Sequence, residues 1–203
     1  PTTTHATSSA ASDVYKRQPL HHQAMKFVMP ARQRIGKKTI FNLLGPHTNP
    51  CNAKRQILGV YDKGLLKTFG NVSNLLKMHH VLVVHGNDGL DEISITDKTF
   101  VTELKDGNLN QFEIQPEDFG LSRANITALK AETPEESLEL INAAFEGKES
   151  PVQDMISLNA GASLYLSSAS NSIKDGVSLA KELLNNGKAK QTFSSYIEMT
   201  NSL

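Results

Sequence analysis

Two adjacent carboxylates, Asp91 and Glu92, are the side chains of this sequence most suited to metal-assisted chemistry. They stand near the end of the segment VHGNDGLDEIS, residues 84–94, directly after an apolar run. Carboxylates on a loop suit Mg²⁺, which commonly takes one or two of them and completes its coordination with water and substrate phosphate. The preceding Asn87-Asp88-Gly89 is also ordinary turn chemistry. The segment alone therefore leaves a metal site and a plain turn open.

The position of this pair distinguishes it from the other acidic pairs of the chain. Glu135-Glu136 stands at the start of a predicted helix, where carboxylates offset the positive end of the helix dipole. Glu117-Asp118 is explained by an exposed turn. Asp91-Glu92 instead follows a predicted strand, and open α/β sheets bind ligands at the carboxyl ends of their strands.

A second candidate segment is PLHHQAMKFVMPARQRIG, residues 19–36, in which residues 23–35 are predicted to be helical. His21 and His22 invite a zinc interpretation, but adjacent side chains point in different directions and no further Cys and His set completes a site. Packing at the helix entry or contact with a substrate is the alternative. Arg32 is either a solvated helix residue or a guanidinium that binds a planar carboxylate through two hydrogen bonds.

A third candidate segment is KTIFNLLGPHTNPCNA, residues 38–53. Gly45-Pro46 and Asn49-Pro50 prevent it from continuing as a helix. We expect a fixed loop, in which Gly45 would allow a ligand to approach the backbone closely. A purely structural loop is the alternative that the sequence leaves open.

The elements that would position these residues alternate between strands and helices. Residues 56–61 and 80–84 are predicted strands, and an apolar stripe in residues 63–78 predicts a helix between them. Such a β-α-β unit favours parallel pairing. Residues 99–105 and 110–115 are predicted to form a hairpin.

Helices are predicted to dominate the rest of the chain. Thr133 is the expected N-cap of a helix that Gly147 ends, with Pro134 in its first position. Further helices are expected at residues 152–167, 173–185 and 189–200, with Gly187 as a C-cap candidate. These elements predict an α/β fold with a mostly parallel central sheet flanked by helices.

The composition excludes several classes of protein. Lys+Arg and Asp+Glu both number 21, so the basic excess of nucleic-acid-binding domains is absent. No apolar stretch approaches the ~18 residues of a membrane span, and we expect neither nucleic acid nor membrane as a partner. The single cysteine, Cys51, excludes an internal disulfide and fits the reducing cytoplasm. Residues 1–18 are expected to be a disordered or foreign tail, with residues 19–203 forming the domain.

Taken in order, the three segments resemble the C-terminal α/β part of the anthranilate phosphoribosyltransferase family. The resemblance rests on PLHHQAMK with Arg32 and Gly36, on FNLLGP-x-TNP ending at Pro50, and on DGLDEIS ending at Ser94. It runs from about Pro19 to the C-terminus without a large insertion. The combination of the last two motifs is much more specific than either alone. It implies a domain of the anthranilate phosphoribosyltransferase and nucleoside phosphorylase-like fold.

The resemblance implies transfer of a phosphoribosyl group from phosphoribosyl pyrophosphate to the amine of anthranilate, with release of pyrophosphate, in tryptophan biosynthesis. Asp91 and Glu92 would help to hold Mg²⁺, and Arg32 would bind the anthranilate carboxylate. Pro19, Gly45 and Pro46 would line the path of anthranilate, and His22 is a further candidate for substrate contact. No catalytic general base is nominated, because the nucleophile needs positioning more than deprotonation. The resemblance also implies that the complete protein is a homodimer.

Departures from the family pattern limit this interpretation. Gln23 and His47 replace a usual Pro and a usual Leu, and both are tolerable changes of lining. The glycine-rich GTGGD loop, the HGN segment and the N-terminal helices of the family lie upstream of the match, so the chain is expected to be an inactive fragment. A related nucleoside-phosphorylase-type enzyme and a non-catalytic binding or oligomerisation relative are the alternatives.

Overall fold

The computed structural model describes Arg34, residues 45–48 and residues 52–202. Residues Lys54–Met199 form one compact unit, which contains the sheet. The other described residues belong to a second unit, in which Arg34 is helical and Gly45–Thr48 make a short 3₁₀ turn. The helix predicted at residues 23–35 otherwise falls outside the described residues.

The sheet has four strands in the spatial order of the chain. Strands β1 (Arg55–Gly59) and β2 (His80–Gly86) are parallel, as the β-α-β pattern predicts. Strands β3 (Thr99–Lys105) and β4 (Asn108–Ile114) form the predicted antiparallel hairpin, and β3 also pairs antiparallel with β2. The expectation of a mostly parallel sheet is therefore wrong for the described strands, because the hairpin adds two antiparallel pairings to one parallel pairing.

Five α-helices complete the described part of the fold. Helix α1 (Leu66–Leu75) connects the parallel strands, and α2 (Pro134–Phe145) follows two 3₁₀ turns after the hairpin. The chain ends with α3 (Pro151–Leu166), α4 (Ile173–Asn185) and α5 (Lys188–Asn201). None of the helices in the described residues is long and apolar enough to cross a membrane.

The starts of the later helices follow directly from their sequence. Thr133 caps α2 by accepting a hydrogen bond from the Glu136 amide at 3.1 Å, and Pro134 occupies the first helical position. A proline is tolerated there because the first helical amides have no partner inside the helix. Ser150 and Ser172 cap α3 and α4 in the same way. The α/β assignment, the Thr133 cap and the bounds of α4 are confirmed, whereas α3 and α5 each begin one residue earlier than predicted.

The core lies between the sheet and α3 and α4. Strand β2 is buried along most of its length, and the α3 residues Leu158 and Ala162 are fully buried against it and its neighbours. The apolar stripe predicted in residues 63–78 is not fully covered, since Leu76 after α1 is 44% exposed. Periodicity predicts a helix face but not how much of that face another element covers.

Candidate functional site

The acidic pair lies beyond the carboxyl ends of the two parallel strands, and both strands end in glycine. A Cβ atom added at Gly59, the last residue of β1, would overlap the carbonyl oxygen of Asp91. A Cβ atom added at Gly86, the last residue of β2, would overlap Asp88 Oδ1 and lie 3.2 Å from the Leu90 carbonyl oxygen. The two glycines therefore let the loop fold back closely over the strand ends.

Asp88 is exposed, but its carboxylate organises the loop through hydrogen bonds. Its Oδ1 accepts a hydrogen bond from the Leu90 amide at 3.1 Å, and its Oδ2 accepts from the hydroxyls of Ser94 and Thr96. The Gly86 amide also donates to the Leu90 carbonyl at 2.8 Å, and Gly89 has a φ of 92°. The predicted turn is confirmed, and it brings the chain back so that Asp91 and Glu92 lie at the strand ends.

Asn159 on α3 fixes the residue that follows the acidic pair. Its Oδ1 accepts from the Ile93 amide at 3.1 Å, and its Nδ2 donates to the Ile93 carbonyl at 2.9 Å. Nδ2 also donates to the Met155 carbonyl of its own helix at 3.1 Å, which fixes the orientation of the side-chain amide. One side chain thus satisfies both backbone groups of Ile93 and attaches the loop to a core helix.

Three consecutive buried residues, Ile93, Ser94 and Ile95, secure the loop after the acidic pair. Ile93 and Ile95 are almost completely buried in the main core cluster, whereas Asp91 and Glu92 remain exposed. The buried Ser94 amide donates to Thr99 Oγ1 at 2.9 Å. The acidic pair therefore extends from a well-packed segment and is not part of a loosely attached loop.

The electrostatics of the pair favour a bound cation. Partial burial raises the pKa of the Glu92 carboxyl group, although the residue as a whole remains exposed, and the adjacent charge of Asp91 raises this pKa further. A cation near both carboxylates would offset this repulsion. No cluster of three or more potential ligands among His, Cys, Asp and Glu occurs in the part of the chain that the structure describes. Two adjacent carboxylates are a donor set that would suit Mg²⁺ if a phosphate substrate supplied further ligands.

A groove of about 470 Å³ opens beside the acidic pair. Leu90, Asp91 and Glu92 form one side of the groove. Its other walls are mainly apolar side chains from the segment before α2 and from α2 and α3, including Leu129, Leu140, Ile141, Met155 and Ile156. The groove thus combines an acidic rim with an apolar interior.

The structure locates only part of the site that the sequence predicts. Asp91 and Glu92 lie together at the strand ends, as expected from the β-α-β pattern. Gly45 and Pro46 belong to the 3₁₀ turn and are partly buried. The remaining predicted substrate contacts lie outside the described residues, namely Pro19, His22 and Arg32.

Sequence reasoning assigned no role to two residues that support the acidic pair, Gly59 and Asn159. A glycine inside the predicted strand of residues 56–61 is a signal for close backbone approach, and it identifies Gly59 in retrospect. For Asn159 the only signal is a polar residue between buried positions of a helix. That pattern does not reveal the partner, which lies 66 residues away in sequence.

Replacing Asn159 with alanine should loosen the loop. The Ile93 amide and carbonyl would lose their partners in a mostly buried setting, which costs about 1–3 kcal/mol of unfolding free energy. The expected result is a lower urea midpoint together with faster hydrogen exchange at the Ile93 amide. Ser163→Ala is the matched control, since the Ser163 hydroxyl donates to the Asn159 carbonyl of its own helix. Unchanged exchange at Ile93 in the Asn159 variant would contradict the assignment.

Asp88 should make the fold sensitive to acid. Burial tends to raise the pKa of its carboxyl group, but hydrogen bonds from Ser94, Thr96 and Leu90 outweigh this effect and hold the pKa below the ordinary 3.8. Because the folded-state pKa is the lower one, the carboxylate stabilises the fold above the ordinary value, and this contribution is lost as the pH falls through the folded-state pKa. In urea unfolding measured from neutral pH into acid, Asp88→Asn should weaken this loss. Glu139→Gln, at an exposed position on α2, should leave it unchanged.

Comparison with protein families gives one match that covers most of the chain. Residues 14–190 match the model described as "Glycosyl transferase family, a/b domain". Among curated proteins, the anthranilate phosphoribosyltransferase of Hydrogenovibrio crunogenus is 43% identical over 184 residues, which are 91% of this chain and 54% of that protein. The chain spans about half the length of the curated relatives that it matches.

Solved structures give the same picture. The anthranilate phosphoribosyltransferase of Thermus thermophilus has a TM-score of 0.80 and 37% identity, over 87% of this chain and 52% of that one. The Saccharomyces cerevisiae enzyme in complex with PRPP and Mg has a TM-score of 0.80 and 29% identity, over 90% of this chain and 53% of that one. The same yeast enzyme is also similar in its complex with 4-fluoroanthranilate.

Proposed function

Because this chain belongs to the glycosyl transferase family whose a/b domain it matches, we propose that it is part of an anthranilate phosphoribosyltransferase of tryptophan biosynthesis. The complete protein would transfer the phosphoribosyl group of phosphoribosyl pyrophosphate to the amine of anthranilate. A bond forms between the amine nitrogen and the anomeric carbon of the ribose, while the bond from that carbon to pyrophosphate breaks. The observation that carries the proposal is the position of Asp91 and Glu92 at the carboxyl ends of the parallel strands.

The described residues contribute mainly to the metal-binding side of the proposed site. Pyrophosphate leaves with additional negative charge, and Mg²⁺ bound at the acidic pair would offset it. Asp91 and Glu92 supply the oxygen donors, Gly59 leaves space for their backbone, and Asn159 fixes the following residue. Because these supports belong to packed strands and a core helix, the backbone that carries the two carboxylates is held in place before substrate arrives.

The anthranilate side of the proposed site rests on the family pattern. Arg32 would bind the substrate carboxylate through two parallel hydrogen bonds. Pro19, His22, Gly45 and Pro46 would line the path of the aromatic ring. No residue is assigned as a general base, since developing cationic character on the ribose and a positioned amine suffice for the transfer.

The proposal extends to the organisation of the complete protein. Residues 19–203 would form its C-terminal α/β domain, and residues 1–18 would be a disordered or foreign tail. The complete protein would be a cytoplasmic homodimer. The part of the relatives' length that this chain does not match would supply the phosphate-binding loop, so the 203-residue chain is expected to show no turnover on its own.

The test joins residues 19–203 to the N-terminal half of the Hydrogenovibrio crunogenus relative and follows the loss of anthranilate fluorescence with phosphoribosyl pyrophosphate and Mg²⁺. In this joined protein, Asp91→Asn with Glu92→Gln should lower kcat/KM by about a hundredfold and raise the Mg²⁺ concentration needed for half-maximal rate. Arg32→Ala should instead raise the KM for anthranilate. Both substitutions at the acidic pair preserve size, so the effect reports on charge.

A second pair of carboxylates provides the control. Glu139 and Glu182 are exposed on α2 and α4 and do not line the groove beside the acidic pair, so Glu139→Gln with Glu182→Gln should leave the rate unchanged. Full activity of the Asp91→Asn, Glu92→Gln protein at limiting Mg²⁺ would rule out the metal assignment. An inactive joined protein that nevertheless folds and binds both substrates would overturn the proposed reaction.

A further inference from the structure

Three basic residues lie side by side across one end of the strands, opposite the end that carries the acidic pair. Arg55 begins β1, His80 begins β2 and Lys105 ends β3, and the strand register pairs Arg55 with His80 and His80 with Lys105. Paired residues on neighbouring strands project from the same face of a sheet, so the three side chains form a row. The row borders a pocket of about 210 Å³, which we call the basic-edge pocket. The connection between α3 and α4 borders it on the other side, through Ser168, Ser170 and Asn171.

The partly buried carboxylate of Glu103 beside the pocket is already engaged by His80 and Tyr165. His80 Nε2 lies 2.7 Å from Glu103 Oε1, and the Tyr165 hydroxyl donates to the same oxygen at 2.9 Å. The His80 and Tyr165 rings meet edge to face with their centroids 4.8 Å apart. His80 is 3% exposed, so this group forms a packed wall rather than a mobile surface.

The other two cations have no carboxylate partner at contact distance. Among the residues that the structure describes, no carboxylate oxygen lies within 4.0 Å of the charged nitrogens of Arg55 or Lys105. Lys105 Nζ donates to the Tyr165 hydroxyl at 3.2 Å. That bond comes first among the influences that raise the pKa of Lys105, so the ammonium stays charged. Two permanent positive charges therefore face the same small pocket.

A structural role accounts for part of this arrangement. Arg55 Nη1 donates to the carbonyl of Leu166 at 2.6 Å and to Ser168 Oγ at 3.1 Å, which caps the carboxyl end of α3. This uses only one of the guanidinium nitrogens. Within the described residues, Nε and Nη2 make no hydrogen bond, and they retain three of the five donors of the group. Capping does not explain why Lys105 and the Asn171 amide border the same pocket.

We propose that the basic-edge pocket binds a small oxyanion, either a phosphate or a short carboxylate. The guanidinium of Arg55 offers a planar fork suited to two oxygens, and Lys105 offers a point charge beside it. The hydroxyl of Ser168 and the side-chain amide of Asn171 provide neutral donors around the rim, whereas the Ser170 hydroxyl already donates to the Ser172 carbonyl at 3.0 Å. The volume is below that of pockets for larger organic ligands, which begin at about 300 Å³, so a nucleotide is not the expected occupant.

Substitution of Asp106 tests the proposal, because removing its negative charge should strengthen anion binding. Asp106 also borders the pocket, and the negative charge of its carboxylate would repel a bound anion. Asp106 has a φ of 49°, a conformation that asparagine adopts readily. Asp106→Asn should therefore preserve the turn while strengthening anion binding about two- to fivefold, in the range of an exposed charge pair.

The experiment titrates the 203-residue chain with inorganic phosphate, and separately with acetate, by isothermal calorimetry at constant ionic strength and without Mg²⁺. We expect saturable binding of one anion per chain, and the two titrations distinguish phosphate from carboxylate as the preferred ligand. Arg55→Gln should weaken binding about tenfold or more. Arg55→Lys should recover part of this loss, because it restores the charge but not the fork.

Two control variants show whether anion binding depends on this pocket, rather than on the acidic pair or on the overall charge of the protein. Asp91→Asn with Glu92→Gln should leave phosphate binding unchanged, so the result does not depend on the proposed reaction. Lys67→Gln removes an exposed cation on α1 and should also have no effect. The proposal is overturned if neither anion binds saturably, or if Arg55→Gln and Asp106→Asn leave the affinity unchanged in chains that retain their folded circular dichroism spectrum.

Discussion

Gly59→Ala is expected to displace the acidic pair. Among single methyl groups added near the site, this one should lower stability and kcat the most. The new Cβ atom would overlap the Asp91 carbonyl oxygen and lie 2.7 Å from the Asp91 carbonyl carbon, so the loop backbone must move. Asn159 resists this movement because it holds Ile93 from both backbone groups. The strain should cost about 1–3 kcal/mol of unfolding free energy. In the joined protein, a shift of about 1 Å at the carboxylates should lower kcat about a hundredfold.

Gly64→Ala provides the matched control for this variant. A Cβ atom there would lie 3.2 Å from Asp62 Oδ1, which is an exposed side-chain atom that can move slightly. Thermal unfolding, the fluorescence assay and its Mg²⁺ dependence should therefore change far less than in Gly59→Ala. If Gly59→Ala kept both the stability and the Mg²⁺ dependence of the unchanged protein, the close approach of β1 to Asp91 would not be a feature that positions the site.

Gly176→Ala is expected to weaken the packing of α3 against α4, although alanine favours helices. The added Cβ atom would overlap the Gly161 carbonyl oxygen and lie 2.9 Å from Ser170 Oγ. The gain in helix propensity from glycine to alanine is about 1 kcal/mol. We expect a net loss of about 1–3 kcal/mol, because backbone atoms of one helix cannot move without displacing the helix from the core. Urea unfolding of the 203-residue chain measures the difference.

Gly161→Ala tests the same contact from the other helix. Its Cβ atom would lie 2.7 Å from both the Cα and the Cγ2 of Val177, a core residue. Because the two glycines share one contact, the double variant should lose less stability than the sum of the single losses. Ser178→Ala, at an exposed position on α4, is the control and should change the unfolding free energy little. A stabilised Gly176→Ala variant would show that propensity outweighs the helix contact.

Most of the secondary structure was predictable because local chemistry determines it. Strand β3 and helix α4 occupy the predicted residues, and α2 begins at the predicted Thr133 cap. These features depend on alternation, helical periodicity and capping, which act over a few residues. The mixed character of the sheet was not predicted, since an alternating pattern does not state which strand the hairpin joins.

At the site of the acidic pair, too, some features followed from the local sequence and others only from tertiary packing. Its location beyond a strand followed from sequence order, and the turn at Asn87-Asp88-Gly89 followed from turn chemistry. The groove beside the pair did not follow from either, because its walls come from segments far along the chain. The exposure of Leu76 was missed for the same reason, since an apolar stripe does not specify which element covers it.

By itself, the sequence determined the order and bounds of most elements, the turn before Asp91 and Glu92, and a resemblance that family comparison confirmed. Only the tertiary structure decided what holds the pair in place. Gly59 and Asn159 reach the loop across 32 and 66 residues of sequence, and the row of Arg55, His80 and Lys105 depends on strand register. Local interactions specify helices, strands and turns, whereas contacts between distant residues arise only when the chain packs into a common core.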